Sequence, residues 1–196
     1  LGDVYKRQVL GAFISVLPEK VTGAANGANT SAVFAGTNPN NGKRYVYLET
    51  LGGGMGARFT KDGKDGVQVH LTNTSNLPVE AIEMEYPLRV EEYSFVENSG
   101  GAGKYRGGLG IRRIIRPIAH KCEFSGVGER FKHSPWGVFG GQPGKPGKFY
   151  LKHKNGKITN LSSKSSSIYT NENDAIVMET PGAGGYGNPK KRTKNN

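Results

Sequence analysis

The chain has almost no cysteine: one, Cys122, among 196 residues. A single thiol excludes an intramolecular disulfide framework and suits a reducing cytoplasm. No apolar run approaches the roughly 20 residues of a membrane span, so the expectation is a soluble, cytoplasmic protein without a membrane partner. The usual catalytic spacings are missing as well. His70, His120, His133 and His153 lie 50, 13 and 20 residues apart, with no His-x-x-x-His and no cysteine pair, so no metal site is read here. Gly-x-Ser-x-Gly is absent, and a buried, inert thiol is the expected state of Cys122.

Acidic residues are scarce in one half only. Residues 1–98 hold 9 Lys/Arg against 11 Asp/Glu, and residues 99–196 hold 18 against 5, net −2 and +13. A basic half invites a polyanion-binding module as one reading. Its cations, however, are not interleaved with the stacking aromatics of a nucleic-acid groove, and "PKKRTKNN" (189–196) alone supplies four of them. A solvated basic face with a disordered tail over 190–196 is preferred, and nucleic acid is not an expected partner.

The N-terminus shows neither an initiator Met nor a signal pattern. "DVYKRQ" (3–8) resembles the read-through translation of a transposon adapter used in sequencing libraries. Residues 1–8 are therefore expected to be non-native, with native sequence starting near Val9.

What the chain does have is glycine, 30 residues of it, and β-forming segments between turns. "VLGAFISVLPEKV" (9–21) carries apolar residues at helical spacing up to Pro18. A short strand is expected at 32–35, then strands over 44–51, 67–73, 88–97, 110–118, 122–131 and 174–180. "PVEAIEMEYP" (78–87) reads as a short helix with Glu80 and Glu83 in its first turns. "KFYLKHKNGKITNLS" (148–162) is a hairpin turning at Asn155-Gly156. The fold class is α+β, β-dominated, with mixed or antiparallel sheets and one or two short helices.

The run "ENSGGAGKYRGGLGIRR" (97–113) poses the sharpest question, since glycines and cations together can cradle phosphate. It fails the P-loop pattern: Asn98 stands where the first glycine belongs, and Tyr105 where Ser or Thr should follow the lysine. Neither this run nor "GGGMG" (52–56) yields Gly-x-Gly-x-x-Gly, and a strand follows, so no helix N-terminus awaits an anion. A structural connection is the better reading, although Lys104, Arg106, Arg112 and Arg113 could still meet an anion. A second polar cluster follows "GGGMG": Arg58, His70, Asn73, Thr74, Asn76 and Glu80, on loops at strand ends where sites tend to lie.

"YLETLGGGMGARFTKDGKDGVQVHLTNTSNLPVEAIEMEYPLRVEEYSF", "NSGGAGKYRGGLGIRR", "ERF…PWGVFGGQPG" and "TPGAGGYGNP" fall in one order across Val9 to Pro189. Together they resemble the hydantoinase B/5-oxoprolinase family, and specifically its C-terminal portion. The resemblance implies part of an ATP-dependent hydrolase of cyclic amides such as 5-oxoproline or hydantoins. An A-type ATPase, as a separate subunit or a fused half, phosphorylates the amide, and the B-type part opens the activated ring with water. ATP belongs to that partner, and any divalent metal to the upstream part, so this segment is expected to bind neither and to be inactive alone. Ketone carboxylases of the same family are the alternative.

The matching positions include Gly52, Gly53, Gly54, Gly56, Gly100, Gly101, Gly103, Gly107, Gly108, Gly110, Arg58, Asn73, Thr74, Pro78, Glu80, Glu83, Arg106, Pro135, Trp136 and Gly137. "PGAGGYG" departs from the pattern, with Ala183 where glycine is usual. Chemically, Gly53, Gly54, Arg58, Asn73, Thr74 and Arg106 are candidates to bind substrate or its oxyanion, and Glu80 to position water or take a proton.

Overall fold

A computed structural model describes residues 2–70, 72 and 74–193. Two antiparallel sheets face each other. The first has four strands in the order β2-β1-β5-β8, formed by β1 (Thr30–Thr37), β2 (Arg44–Leu51), β5 (Cys122–Val127) and β8 (Lys164–Thr170). The second has five in the order β3-β4-β9-β6-β7: β3 (Leu88–Phe95), β4 (Ile111–Pro117), β6 (Lys148–Lys152), β7 (Ile158–Leu161) and β9 (Ala175–Glu179). A β-dominated α+β fold with antiparallel sheets is therefore what forms.

Alternation explains the layers. β1 buries Ala32 and Phe34 inward and leaves Val33 and Ala35 half-buried on the outer face; β4 buries Ile111, Arg113 and Ile115. Phe34, Phe124 and Phe149 meet across the gap, with Phe34–Phe124 ring centroids 5.2 Å apart and Phe124–Phe149 5.8 Å apart. Such contacts join the sheets through one apolar core. Helix α2 (Val79–Glu85) closes one flank by burying Ile82, and Tyr86 behind it stacks near Tyr45 and Tyr47.

Several expectations need correction. The strand expected over 67–73 does not form at 67–70, where, among the described residues, Val67 makes a single bridge to Gly53 and His70 at φ 78 turns the chain away; residues 71 and 73 lie outside the described ones. β8 carries no strand signal of its own, because "KSSSIYT" is serine-rich; its pairing with β5 imposes the strand, with a bulge beside Ser167 at φ 54. Helix α1 occupies Gly2–Ala12, earlier than the 9–17 spacing implied, and Phe13–Leu17 continue as hydrogen-bonded turns. Within this helix Arg7 Nη2 donates to the Val69 carbonyl at 3.0 Å. At the other end, Pro189–Lys191 form a 3-10 turn and Arg192 binds Asp62, while residues 194–196 lie outside the described ones. Among the described residues, no helix is long and apolar enough to cross a membrane.

One end of the sandwich positions everything else. β1 begins there, β2, β3, β5 and β9 finish there, and β4 and β6 start there. The connecting loops, residues 22–29, 52–66, 96–110, 128–147 and 180–188, interleave and hydrogen-bond backbone to backbone. Asn26 N–H donates to Gly54 O, Gly54 N–H to Pro181 O, Gly108 N–H to Met55 O, and Gly101 N–H to Ala183 O, at 2.7–3.0 Å. This close approach is what the glycines are for. A methyl group on Gly56 would land on the Gly23 carbonyl, and one on Gly108 on the Lys64 carbonyl. Ala183, fully buried, is not among the residues at positive φ, so alanine is conformationally acceptable there.

Candidate functional site

Where the glycine bundle meets α2, residues 66–68 and 74–80 and Tyr93 of β3 line a groove of about 590 Å³. Two backbone bonds fix its floor: Val67 N–H donates to Gly53 O at 2.8 Å and Gly53 N–H to Val67 O at 3.1 Å. Gln68 on the same floor is anchored by Nε2 to the Thr50 carbonyl at 2.9 Å. The rim is polar. Glu80 stands exposed in the first turn of α2, Thr74 is exposed with its hydroxyl on the Thr72 carbonyl at 2.9 Å, and Asn76 Nδ2 donates to the Tyr93 hydroxyl.

The candidate residues thus divide among three places. Thr74 and Glu80 share the groove. Gly53 supports its floor from behind, whereas Gly54 points into the bundle, where an added methyl would meet Gly108 O. Arg58 and Arg106 lie at the "KDGKDG" turn instead. Asn73 lies outside the described residues.

At that turn the arginines are engaged by carboxylates and carbonyls. Arg106 grips Asp65 with both terminal nitrogens, Nη1 at 2.7 Å and Nη2 at 3.1 Å, while its backbone N–H donates to Asp62 at 2.7 Å. Arg58 Nη2 donates to the Asp62 carbonyl oxygen at 2.8 Å. Arg192 closes the turn from the C-terminal side with two 2.8 Å bonds to the Asp62 carboxylate. Those Arg192 bonds, with the Arg106 N–H, hold Asp62 below the usual aspartate range despite partial burial. Burial would raise Asp65, but Arg106 and the Leu109 N–H together bring it below that range.

Of the other cations in the 97–113 run, Lys104 lies over the Tyr105 ring, and Arg112 and Arg113 are paired with carboxylates. Arg112 binds Glu179 through Nε at 2.9 Å. Arg113 is buried and donates through Nη1 to Glu49 at 2.6 Å. Alternation on β4 carries the signal that Arg113 points inward, but its partner is 64 residues away and invisible to local pattern. Burial raises the Glu49 carboxyl, with Arg113 and the Tyr47 hydroxyl opposing it; Tyr47 donates to the same oxygen at 2.9 Å. The Arg113 guanidinium lies 4.0 Å from the Tyr93 ring centroid, so the groove wall rests directly on this buried pair. Tyr93 and Gln68 are groove residues that sequence reasoning missed, because only folding brings them opposite Glu80.

Chemically, the groove offers a carboxylate, a hydroxyl, an amide and a phenol around one space, all groups able to orient a small polar ring and a water. Among the described residues, no cluster of three or more His, Cys, Asp or Glu could hold a metal ion.

Residues 5–189 match the family model for hydantoinase B/oxoprolinase. The chain is 43% identical over 187 residues to an uncharacterized protein of Methanocaldococcus jannaschii, covering 95% of this chain and 32% of that one. It is 40% identical over 141 residues to the 5-oxoprolinase of Dictyostelium discoideum, covering 72% of this chain and 11% of that enzyme. The crystal structure of the ATP-dependent caprolactamase from Pseudomonas jessenii superposes with a TM-score of 0.83 at 25% identity, over 94% of this chain and 33% of that one. The chain therefore spans a third or less of each of these proteins. On the match over residues 5–189, it belongs to the hydantoinase B/oxoprolinase family.

Proposed function

We propose that this chain is a portion of the B-type part of an ATP-dependent cyclic-amide hydrolase, acting on a ring that an A-type ATPase partner has activated. Family membership supports the class, and the caprolactamase likeness supports a lactam-type substrate. The observation that carries the reading to particular residues is the shared groove: Glu80 and Thr74, both on family motifs, face one space floored by Gly66, Val67 and Gln68. In this reading Glu80 orients or deprotonates the attacking water, and Thr74 hydrogen-bonds the ring. Arg58 and Arg106 act by shaping the turn that carries the floor, since both are held by Asp62 and Asp65. The chain alone is inactive, because activation belongs to the partner.

The test is turnover in the assembled enzyme, a full-length B-type chain carrying this segment with its A-type partner. Glu80→Gln should lower kcat by about 10²–10⁴-fold, the range for a general base, with ATP-dependent activation of the lactam retained. Wild-type turnover in Glu80→Gln would remove the groove from the mechanism. Turnover of a ketone with bicarbonate, and none of lactams or hydantoins, would select the carboxylase alternative.

A further inference from the structure

The two outer sheet faces differ in chemistry. On the five-stranded sheet, Glu179 of β9 receives Arg112 of β4 at 2.9 Å and Lys148 of β6 at 3.2 Å, and Arg112 also lies 3.6 Å from Glu92 of β3. That row balances its own charges across four strands, and the neighbouring outward row, Ile114–Val177–Tyr150, is half-buried or buried. On the four-stranded sheet the strand register builds outward rows Leu48–Val33–Ser125 and Val46–Ala35–Glu123–Tyr169. Val46 and Leu48 are each 63% exposed, and Tyr169 and Val127 are more than half exposed.

The same strand is also an unguarded edge. β2 pairs β1 residue for residue over its full length without a bulge, and has no other strand partner among the described residues. Its sequence "RYVYLETL" contains no proline and no lysine, residues that commonly blunt edges. Among the described residues, Gln68 reaches this edge at its end, donating to the Thr50 carbonyl. The opposite edge, β8, is by contrast serine-rich and bulged. A flat edge beside an apolar patch is a pairing site.

The relatives supply the occupant. The Methanocaldococcus protein and the caprolactamase match nearly all of this chain with only 32% and 33% of their own length, so each carries about twice as much chain again. We infer that the β2 edge and the outward face of the four-stranded sheet form the seam on which the remaining part of a B-type chain packs, with an extended segment of that part lying beside β2. This rests on family membership and on the two unlike faces, and holds or fails independently of the role of Glu80.

Co-expression tests it. The tagged two thirds of the Methanocaldococcus protein is produced with this chain, and with that protein's own remaining third as positive control. Neither substrate nor ATP is present. This chain should co-purify, and in the complex the amides of Tyr45–Leu48 should exchange with deuterium at least tenfold more slowly than in the chain alone. The Val46→Lys/Leu48→Lys variant should lower recovery at least tenfold, and the milder Val46→Ser/Leu48→Ser pair should lower it in the same direction, both with an unchanged melting temperature. Ile158→Lys, on an exposed position of β7 in the other sheet, should leave recovery unaltered. Undiminished recovery of the lysine pair overturns the seam, as does failure of the wild-type chain where the control third succeeds. A concentration-dependent dimer of this chain that Val46→Lys/Leu48→Lys dissolves, without capture of the two thirds, overturns it in favour of a second copy.

Discussion

Arg113 and Glu49 come from different sheets and meet at 2.6 Å, with side chains 0% and 4% exposed. Removing one partner leaves the other as an uncompensated charge in the core. Arg113→Met should therefore cost about 3–5 kcal/mol, whereas the paired replacement Glu49→Leu/Arg113→Met should recover much of that loss. Urea denaturation of the two single variants, the double variant and the wild type measures the coupling. Additive losses would show that the pair is not an energetic unit.

The "KDGKDG" turn makes a prediction about acid. Asp62 and Asp65 are held below the ordinary aspartate value of 3.8, so their bonds to arginine contribute stability that is fully present above that value and lost as pH falls through their lower folded values. The wild type should lose melting temperature steeply below about pH 4. Asp62→Asn/Asp65→Asn should be less stable at pH 7 and show a shallower acid limb. Melting temperature recorded from pH 7 to pH 2 decides it; parallel curves would remove the aspartates from the acid response.

Glycine substitutions should divide sharply by place. Gly108→Ala and Gly56→Ala press a methyl onto a backbone carbonyl that other loops hold in position, and should abolish soluble, cooperatively melting protein. Gly42→Ala meets nothing within 4 Å and carries only the strain of φ 69, a cost of about 1–2 kcal/mol. Soluble yield and melting temperature of the three variants make the comparison.

Cys122 is fully buried, and burial, partly offset by the Tyr45 hydroxyl, raises its thiol above the ordinary value. The thiolate is the reactive form. A disulfide reagent at pH 8 should therefore label the native chain far more slowly than the chain in guanidinium, in a single phase that follows unfolding. Rapid native labelling would place the thiol at the surface.

How much of this was legible in the residues depends on the range of the signal. The β6–β7 hairpin is announced by Asn155-Gly156, and Gly156 does adopt φ 82. β2 is readable from aromatic and β-branched density over 44–51 and occupies those residues. β8 is not, because a serine-rich segment becomes a strand only when β5 offers it a ladder. The reverse happens at 67–70, where alternation is present but Gly53 supplies only one bridge.

The candidate site follows the same rule. Thr74 and Glu80 are near neighbours in the chain, so a loop running into a helix suffices to bring them together. Tyr93, Gln68 and the Asp65 that holds Arg106 across 41 residues are joined only by the closed fold. Alternation that makes two buried faces, and glycines that permit backbones to touch, are written in the residues, since both are properties of a residue and its immediate neighbours. Which carboxylate each arginine meets follows from the closed fold, because charge pairing depends on distance through space, and several acidic residues were available to each.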